Sequence, residues 1–398
     1  MPREERKKII KEIERKRKSK VISYITSDRF HLNTPITGDV VPIIHEHLLS
    51  IPFKERTKLD LFLYSRGGES DVPWTLVSMF REYCEKGSFC VLLPYRAHSA
   101  ATVISLGADE IIMTKKAELG PIDITLARGP YNPADKISNQ RLPVSVEDVM
   151  GYFALLEKLK CKEPTETLKG FEILSEQVHP LVLGNVNRLL EQTKLVALRL
   201  LGTRSDPFDS KKNEDIITKL STEIYSHNHT INRTEARNYL GLEQVINAEN
   251  EEINEEMWNL YEEYKDLFQF EQPFIPEEYL IEKGLDEYTW DELNLACIES
   301  LGRYDICKRS ERVRRLKRIP PQVNLNLNNL NLPAINIQQL PDGLGQQDVI
   351  RLVQNIVQSS IKTILDNAVK ATTEEFMKSL PSAGFETTLF KGGWIKEE

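Results

Sequence analysis

The stretch LPYRAHSAATVISLGADEIIMTKKAELGPID, residues 93–123, carries most of the information about the fold. It follows an apolar run, SFCVLLP (88–94), that is typical of a buried strand. SAATVISLG then predicts a short helix of small residues, and DEIIMT (109–114) predicts another strand. Ser99 stands at the junction of the first strand and the helix. A serine in this position is typical of a helix N-cap, but it is also where a nucleophile can be placed.

The same alternation of strand and helix precedes this stretch. KVISYIT (20–26) and KLDLFLYS (58–65) are predicted strands because they are apolar and rich in β-branched or aromatic residues. DVVPIIHEHLLSI (39–51) and DVPWTLVSMFREYCEKG (71–87) are predicted amphipathic helices. Strands that alternate with helices predict right-handed β-α-β units and a mainly parallel sheet.

A glycine pair ends the second of these strands. Gly67 and Gly68 lie in YSRGGES, and Gly68 comes 31 residues before Ser99. Glycine tolerates positive φ, so such a turn can direct backbone N–H groups outward as an oxyanion cradle. The N–H group of Ala100, at the start of the predicted helix, has no partner within that helix. Each feature alone also fits an ordinary turn or helix cap.

Composition restricts the class of protein. The chain has 398 residues, a net charge of -8 and 40% hydrophobic residues. It has no apolar run near the roughly 18 residues of a membrane span, and its charged N-terminus is unlike a secretory signal. The five cysteines lack metal-site spacing, so we expect free thiols, a cytoplasmic location and no metal. The acidic balance and the lack of interleaved aromatic residues argue against nucleic-acid binding.

Changes in composition suggest five segments. The first, 1–19, is a predicted basic helix, since residues 1–20 carry ten Lys or Arg against four Glu. We expect the main domain over 20–245 and an acidic helical appendage over 246–318, in which the basic run 308–318 forms a helix against an acidic neighbour. An Asn/Pro-rich linker over 319–343 then leads to a C-terminal helix and tail over 344–398. That helix has an apolar face, so we expect a homo-oligomer.

These motifs, in this order and spacing, resemble the ClpP/crotonase superfamily. The chain is most similar to the serine dehydrogenase proteinase family, whose members are relatives of signal-peptide peptidase A. The resemblance covers about residues 5–245. It rests on residues 93–123 together with SKVISYITSDR (19–29), LDLFLYSRGGES (59–70) and SHNHTINRTEARNYLGL (226–242). It implies an α/β fold in which β-β-α units form a spiral with a mainly parallel sheet, plus a helical C-terminal extension.

The resemblance also implies a function. Ser99 would be the nucleophile of an ATP-independent serine peptidase that acts on a protein or peptide through an acyl-enzyme, without a metal or nucleotide cofactor. The turn Gly67–Gly68 and Ala100 would form the oxyanion hole. The chain departs from the family in two places. RGGE stands where many relatives have a proline before the glycine pair, and SAAT stands where many have Ser-Ala-Gly-Thr.

The general base has several candidates. Lys136, in NPADKISNQ, comes 37 residues after Ser99 and resembles the short segment that carries the lysine in an archaeal branch of these peptidases. Burial can lower the pKa of a lysine enough for this role. His179 and His229 are the alternatives. The position at which ClpP-like members carry their histidine falls near Ile124, where this chain has none.

Two other classes of function stay open from the sequence. One is a catalytically silent scaffold of the same fold that binds protein partners through its acidic and helical C-terminal regions. The other is an acyl-CoA-processing enzyme of the same fold, whose chemistry uses the oxyanion hole and needs no serine at position 99.

Overall fold

The computed structural model divides the chain into two compact units. The first comprises Met1–Phe274, Glu292–Ser310 and Lys391–Glu398, and the second comprises Ile275–Asp291 and Glu311–Phe390. The structure describes residues 3–52, 57–84, 89–122, 125–126, 129–135, 138–160, 163–224, 229–318 and 346–397.

The helices and strands follow the predicted alternation through the first 120 residues. The helices are α1 (Arg3–Arg17), α2 (Val40–Ser50), α3 (Val72–Tyr83), α4 (Ala100–Leu106), α5 (Val146–Lys158), α6 (Pro164–Gln177), α7 (Pro180–Leu201), α8 (Ser210–Thr218), α9 (Arg233–Asn238), α10 (Asn254–Phe268), α11 (Pro276–Lys283) and α12 (Gln346–Ser379). Within the described ranges, none of them combines the length and apolar character that a membrane crossing requires.

The strands form one large sheet and two small ones. They are β1 (Ser19–Thr26), β2 (Lys58–Tyr64), β3 (Phe89–Leu93), β4 (Arg96–Ala97), β5 (Glu110–Met113), β6 (Glu118–Leu119), β7 (Thr125–Leu126), β8 (Val144–Ser145), β9 (Ile231–Asn232), β10 (Val245–Asn247), β11 (Glu287–Glu299), β12 (Tyr304–Lys317) and β13 (Ser382–Glu397).

The large sheet has the order β10-β5-β3-β2-β1-β11-β12-β13. Its first five strands are parallel, and β11 pairs antiparallel with β1 through Ala296–Glu299. The prediction of a mixed α/β fold with a mainly parallel sheet is therefore confirmed.

Helices cover both faces of this sheet in the first unit. In β1, Ile22 and Tyr24 join a core cluster with side chains of α2, α3, α4 and α7. Val21 and Ile25, which point to the opposite face, join a second cluster with α1 and α10. Since both faces of the sheet are buried, the strand sequences are continuous apolar runs and do not alternate between apolar and polar residues.

A second, smaller ladder runs along the carboxyl ends of the parallel strands. β4 pairs with β6, and β6 pairs with β9. Two isolated bridges extend the ladder toward the N-terminus, one between Ile36 and Gly68 and one between Ser65 and Ala97. In chain order β3, β4 and α4 follow one another, and the ladder brings the glycine pair toward the end of β4.

The prediction of a helical appendage over 246–318 is wrong for its second half. α10 and α11 are helical, but residues 287–317 form the neighbouring strands β11 and β12. Lys308 Nζ lies 3.2 Å from Glu292 Oε2, so the swing from acidic to basic composition reflects charge pairing between strands rather than between helices. Many charged side chains lie at exposed positions of these strands, where composition does not separate helix from strand.

The C-terminal segment is also only partly as predicted. α12 confirms the long helix, but the tail after it includes the strand β13. The Asn/Pro-rich linker over 319–343 lies outside the described residues. α1 confirms the N-terminal helix and packs Ile10 and Ile13 into the core of the first unit.

The second unit contains α11, α12 and the remaining parts of β11, β12 and β13. Tyr279, Tyr288 and Trp290 form a cluster of ring contacts, with ring centroids 4.7 Å apart for Tyr288 and Trp290. Lys317 Nζ lies 2.7 Å from Asp286 Oδ1. Aromatic contacts and ion pairs thus hold these strands and α11 together.

A buried arginine ties the amino ends of the parallel strands together. Arg17 Nε donates to Asp60 Oδ2 at 2.7 Å, and its terminal nitrogens donate to Glu110 and Glu251. Burial raises the pKa of Glu110, but the hydrogen bonds from Lys58 and Arg17 outweigh it and lower the value to about 2. The cluster therefore keeps its charges, and removal of one member would leave a buried charge unpaired.

A second buried polar network joins α2 to the turn between β11 and β12. His47 is fully buried, with Nδ1 2.9 Å from Ser300 Oγ and Nε2 3.0 Å from Asp305 Oδ2. Ser300 and Asp305 are each only 2% exposed, so this Ser-His-Asp arrangement is closed to substrate. Burial, helped by the nearby charge of Arg303, lowers the pKa of His47 to about 4, although the attraction of Asp305 acts to raise it.

This network predicts a specific loss of stability in acid. Because the pKa of His47 is lower in the folded chain than in the unfolded chain, the unfolded chain takes up the proton first. The stability that neutral His47 contributes is full above about pH 6.5 and falls as the pH drops toward about 4. Between pH 7 and pH 5 we expect a loss of about 2 kcal/mol in the free energy of unfolding, and denaturant unfolding at the two pH values tests this.

The His47→Gln variant should lack this part of the pH dependence. His45→Gln, on the same helix but half-buried, is the matched control and should keep it. An equal pH dependence of unfolding in the wild type and in His47→Gln would contradict the interpretation.

Candidate functional site

Ser99 has an unusual backbone conformation at the start of α4. Its φ is 50° and its ψ is -117°, a combination that non-glycine residues rarely adopt. Ser99 occupies the N-cap position, yet its side chain makes no capping hydrogen bond. Local strain of this kind typically amounts to about 1–3 kcal/mol and persists only where surrounding structure enforces it. The hydroxyl is therefore free of the capping role that the sequence alone also allowed.

The glycine pair lies directly against this junction. Gly67 has a φ of 102°, and a Cβ there would lie 2.7 Å from Ser99 Cβ and 2.7 Å from His98 O. On the other side, a Cβ on Gly68 would lie 2.0 Å from Ile36 O. Only residues without side chains therefore fit at positions 67 and 68, between the Ser99 junction and the backbone of Ile36. The structure thus brings together the two motifs that the sequence placed 31 residues apart.

The backbone donors at this contact are not equivalent. Gly67 N–H donates to Ser65 Oγ at 3.0 Å, so it is not a free donor. The N–H groups of Gly68 and Ala100 have no acceptor among the residues that the structure describes. Of the three residues predicted for an oxyanion hole, Gly68 and Ala100 therefore offer free N–H groups. Gly67 contributes the close approach of its backbone.

A polar cavity of about 220 Å³ opens beside Ser99. Its described lining comes from the glycine turn, β4, the α4 junction, β6, the segment after β6 and the residue before β9. The residues are Arg66, Arg96, His98, Ser99, Glu118, Pro121 and Thr230.

Ion pairs fix the side chains of β4 in this cavity. Arg96 Nε and His98 Nε2 both lie within hydrogen-bond distance of Glu118 Oε1, at 3.0 Å and 3.1 Å. Burial raises the pKa of Glu118, but these two hydrogen bonds outweigh it, so the pKa is lower than usual and the carboxylate is charged. Arg96 also donates to Asp28 Oδ2 at 2.6 Å. The residues immediately before Ser99 are thus held from two sides.

Sequence reasoning missed these supporting residues. Arg96 lies in β4, His98 directly follows that strand, and Glu118 is the acidic residue of β6, which pairs with β4. The alternation of polar Arg96 and His98 about apolar Ala97 was a usable signal. Thr102 was also missed. Its hydroxyl donates to Ala97 O at 2.7 Å and Gly120 O at 2.9 Å, and so fixes α4 against the ladder.

The candidate bases lie in different surroundings. His179 caps α7, where its Nδ1 accepts from Leu181 N–H at 3.2 Å, and its ring stacks on Tyr131. His229 is 42% exposed, pairs with Glu235 at 2.8 Å and directly precedes Thr230 of the cavity lining. Neither histidine is among the described residues that line the cavity.

Lys136 lies outside the described residues, and described residues before and after it hydrogen-bond to each other. Asp135 Oδ1 accepts from Ser138 N–H at 2.6 Å and from Ser138 Oγ at 2.9 Å. Asp135 N–H donates to Gln140 O at 2.8 Å, and Ala134 bridges to Arg141. The described ends of this segment are therefore held together by several hydrogen bonds.

Comparison with known proteins gives a family match for the first part of the chain. Residues 2–169 match the family of ClpP-like SDH-type serine proteinases. The uncharacterized protein MJ1495 of Methanocaldococcus jannaschii is 30% identical over 154 residues, 34% of this chain and 50% of that protein. The uncharacterized protein MJ0137 of the same organism is 25% identical over 270 residues, 65% of this chain and 78% of that protein. The chain thus spans about half the length of the first of these relatives.

Among solved structures, the chain is similar to the 1510-N membrane-bound stomatin-specific protease. A serine-to-alanine mutant of that protease is 15% identical with a TM-score of 0.31, over 60% of this chain and 85% of the other. A lysine-to-alanine mutant in complex with a substrate peptide is 14% identical with a TM-score of 0.30, over 58% of this chain and 76% of the other. At such low TM-scores these similarities carry no argument about the site.

The contact between Gly68 and Ile36 predicts an asymmetric response to alanine. Gly68→Ala should destabilise the fold by at least about 2 kcal/mol, because its Cβ meets backbone that cannot move aside easily. Gly151→Ala is the matched control. It lies in α5 with nothing within 4 Å of the added Cβ, and should stabilise by about 0.5–1 kcal/mol.

Denaturant unfolding of both variants measures the two effects. Equal free energies of unfolding for Gly68→Ala and the wild type would show that the close approach of Gly68 to Ile36 does not exclude a side chain at position 68.

Proposed function

We propose that this chain is a serine peptidase with Ser99 as its nucleophile, on the basis that residues 2–169 match the family of ClpP-like SDH-type serine proteinases. The observation that carries the proposal is the contact between the Gly67 backbone and the Ser99 junction. This contact leaves a strained serine whose hydroxyl makes no capping hydrogen bond. Beside it lie two backbone N–H groups that have no acceptor among the described residues. A hydroxyl held in this way is available for attack on a carbonyl.

The proposed oxyanion hole consists of Gly68 N–H and Ala100 N–H. When Ser99 Oγ attacks a peptide carbonyl, the carbonyl oxygen gains negative charge, and preorganised N–H donors stabilise that charge more than they stabilise the ground state. Ala100 N–H is the first donor of α4, so it points along the helix axis from its N-terminal end. Both groups belong to the backbone and need no reorganisation during the reaction.

Lys136 is the proposed general base, on the strength of its resemblance to the lysine segment of related peptidases. The neutral amine of Lys136 would take the proton of Ser99 Oγ as the bond from Oγ to the carbonyl carbon forms. The protonated lysine would then give that proton to the leaving amine as the C–N bond breaks, which leaves an acyl-enzyme. Water releases the acyl group as a carboxylic acid by the same steps, and the proton returns to Ser99 Oγ.

Some of the expectations from the sequence stay predictions. They are the cytoplasmic location, expected from the free thiols, the homo-oligomer, expected from the apolar face of the C-terminal helix, and the protein or peptide substrate, implied by the family resemblance. The activity of the whole chain is likewise a proposal, because the family match covers residues 2–169.

Labelling with a serine-directed fluorophosphonate tests the nucleophile. We expect the wild type to be labelled and Ser99→Ala to show no labelling and no peptide hydrolysis, because no other group replaces the attacking oxygen. Ser105→Ala is the matched control, since Ser105 is a fully buried residue of the same helix and should not change the labelling.

Two results would refute the proposed nucleophile. One is labelling or cleavage retained in Ser99→Ala. The other is a well-folded wild type that takes no label, which would favour the silent scaffold. Stabilisation of the fold by CoA would instead favour the acyl-CoA alternative.

Rates of labelling also distinguish the candidate bases. We expect Lys136→Ala to slow fluorophosphonate labelling by at least about 100-fold, because general-base assistance typically contributes that much or more. His179→Ala and His229→Ala should stay within about threefold of the wild type, since both histidines have other partners. A loss confined to either histidine variant would overturn the assignment of Lys136.

A further inference from the structure

Two arginines line the cavity beside Ser99, and they come from different parts of the chain. Arg66 directly precedes the Gly67–Gly68 turn, and Arg96 lies on β4, three residues before Ser99. Both therefore flank the groups proposed to carry out the reaction. Glu118 is the acidic residue of the described lining. The lining therefore carries two arginine side chains and one glutamate side chain.

One buried carboxylate, that of Asp28, forms ion pairs with both arginines. Asp28, whose side chain is only 7% exposed, accepts from Arg66 Nε and from Arg96 at 2.6 Å. It also accepts from Tyr64 OH at 2.8 Å. Asp28 is not among the described residues that line the cavity, so the carboxylate that holds the two arginines is not itself part of that lining.

This arrangement leaves some guanidinium N–H groups of the two cavity-lining arginines without a hydrogen-bond acceptor among the described residues. Arg66 bonds Asp28 through Nε, and its two terminal nitrogens have no partner among the residues that the structure describes. The Arg66 side chain is 41% exposed. Arg96 uses Nε and one terminal nitrogen, and its other terminal nitrogen likewise lacks a described partner. These are planar N–H donors suited to a second carboxylate.

Glu118 does not cancel this preference. Its Oε1 is shared by Arg96 and His98, so its charge is directed into the ladder. An apolar side chain in the cavity would instead take the free arginine nitrogens out of water without giving them a hydrogen-bond acceptor, which is unfavourable. The cavity is thus better suited to an anionic group than to an apolar one.

We propose that the Ser99 cavity holds a carboxylate of the substrate against Arg66 and Arg96, next to the bond that Ser99 attacks. This inference rests on the proposed peptidase function and names the class of substrate for the same site. The carboxylate is either an acidic side chain near the cleaved bond or the free carboxyl terminus of the peptide, and both have the same chemistry.

Peptide binding to the full chain tests the proposal without turnover. The Ser99→Ala variant provides the inert background, and fluorescence anisotropy gives Kd. The probes are alanine heptapeptides with an uncharged N-terminal fluorophore. One pair carries a central Glu or Gln with an amidated C-terminus, and the other pair is all alanine with a free or an amidated C-terminus. The two pairs distinguish the two sources of the carboxylate.

We expect at least one pair to show a Kd about tenfold or more lower for the carboxylate peptide, as for a charge-assisted hydrogen bond. Adding Arg66→Gln should reduce that ratio to about twofold or less, and Arg66→Lys should give an intermediate ratio. Arg29→Gln is the matched control. Arg29 follows Asp28 in the chain but donates to Gln272 O and does not line the cavity, so the ratio should persist.

Two results would overturn the carboxylate site. One is a ratio near one for both pairs in the Ser99→Ala background, and the other is an unchanged ratio after Arg66→Gln. Thermal unfolding of the Arg66→Gln variant confirms that it is folded, as expected for an exposed arginine. Because the binding assay needs no reactive serine, its failure is separate from a failure of wild-type labelling, which would refute the peptidase function alone.

Discussion

The contact between the backbone of Gly67 and the Ser99–Ala100 junction is the constraint on which the site depends. It requires a residue without a Cβ at position 67 and forces Ser99 into a positive φ. Once Ser99 is held there, its hydroxyl is withdrawn from helix capping, and the first N–H of α4 stays free. One close approach of two chain segments therefore accounts for the strained backbone of Ser99, for its uncapped hydroxyl and for the N–H group of Ala100 that has no described acceptor.

Buried polar groups hold the frame around this contact. The small ladder positions the glycine turn, and Glu118 and Asp28 hold the side chains of β4 from two sides. At the opposite end of the parallel strands, Arg17 joins Asp60 and Glu110. Each cluster is hydrogen-bonded and charged, so each specifies one register of the strands rather than simply adding apolar burial.

Much of the first half of the fold was predictable because its signals are local. Apolar strands of four to eight residues alternate with helices, and each element is bounded by glycine, proline or a polar turn. Residues 287–317 lacked such a signal. Their outer halves carry many charged side chains at exposed positions. The buried apolar residues lie mostly near the turn between the two strands, and they are Leu293, Ala296, Cys297, Ile298, Tyr304, Ile306 and Val313. The pairing that makes them strands is with each other and with β1, which no local pattern records.

The sequence by itself determined the parallel sheet, the position of Ser99 between strand and helix, and the glycine pair as its partner motif. It did so because strand and helix periods, and the conformational freedom of glycine, are properties of short segments. Only the tertiary structure decided that the Ser99 side chain makes no capping hydrogen bond, and that Gly67 N–H donates to Ser65 Oγ while Gly68 N–H has no acceptor among the described residues. It also decided that Arg66, Arg96 and Glu118 share one cavity. Each of these depends on distances between segments that are far apart in the chain, and those distances are set by packing.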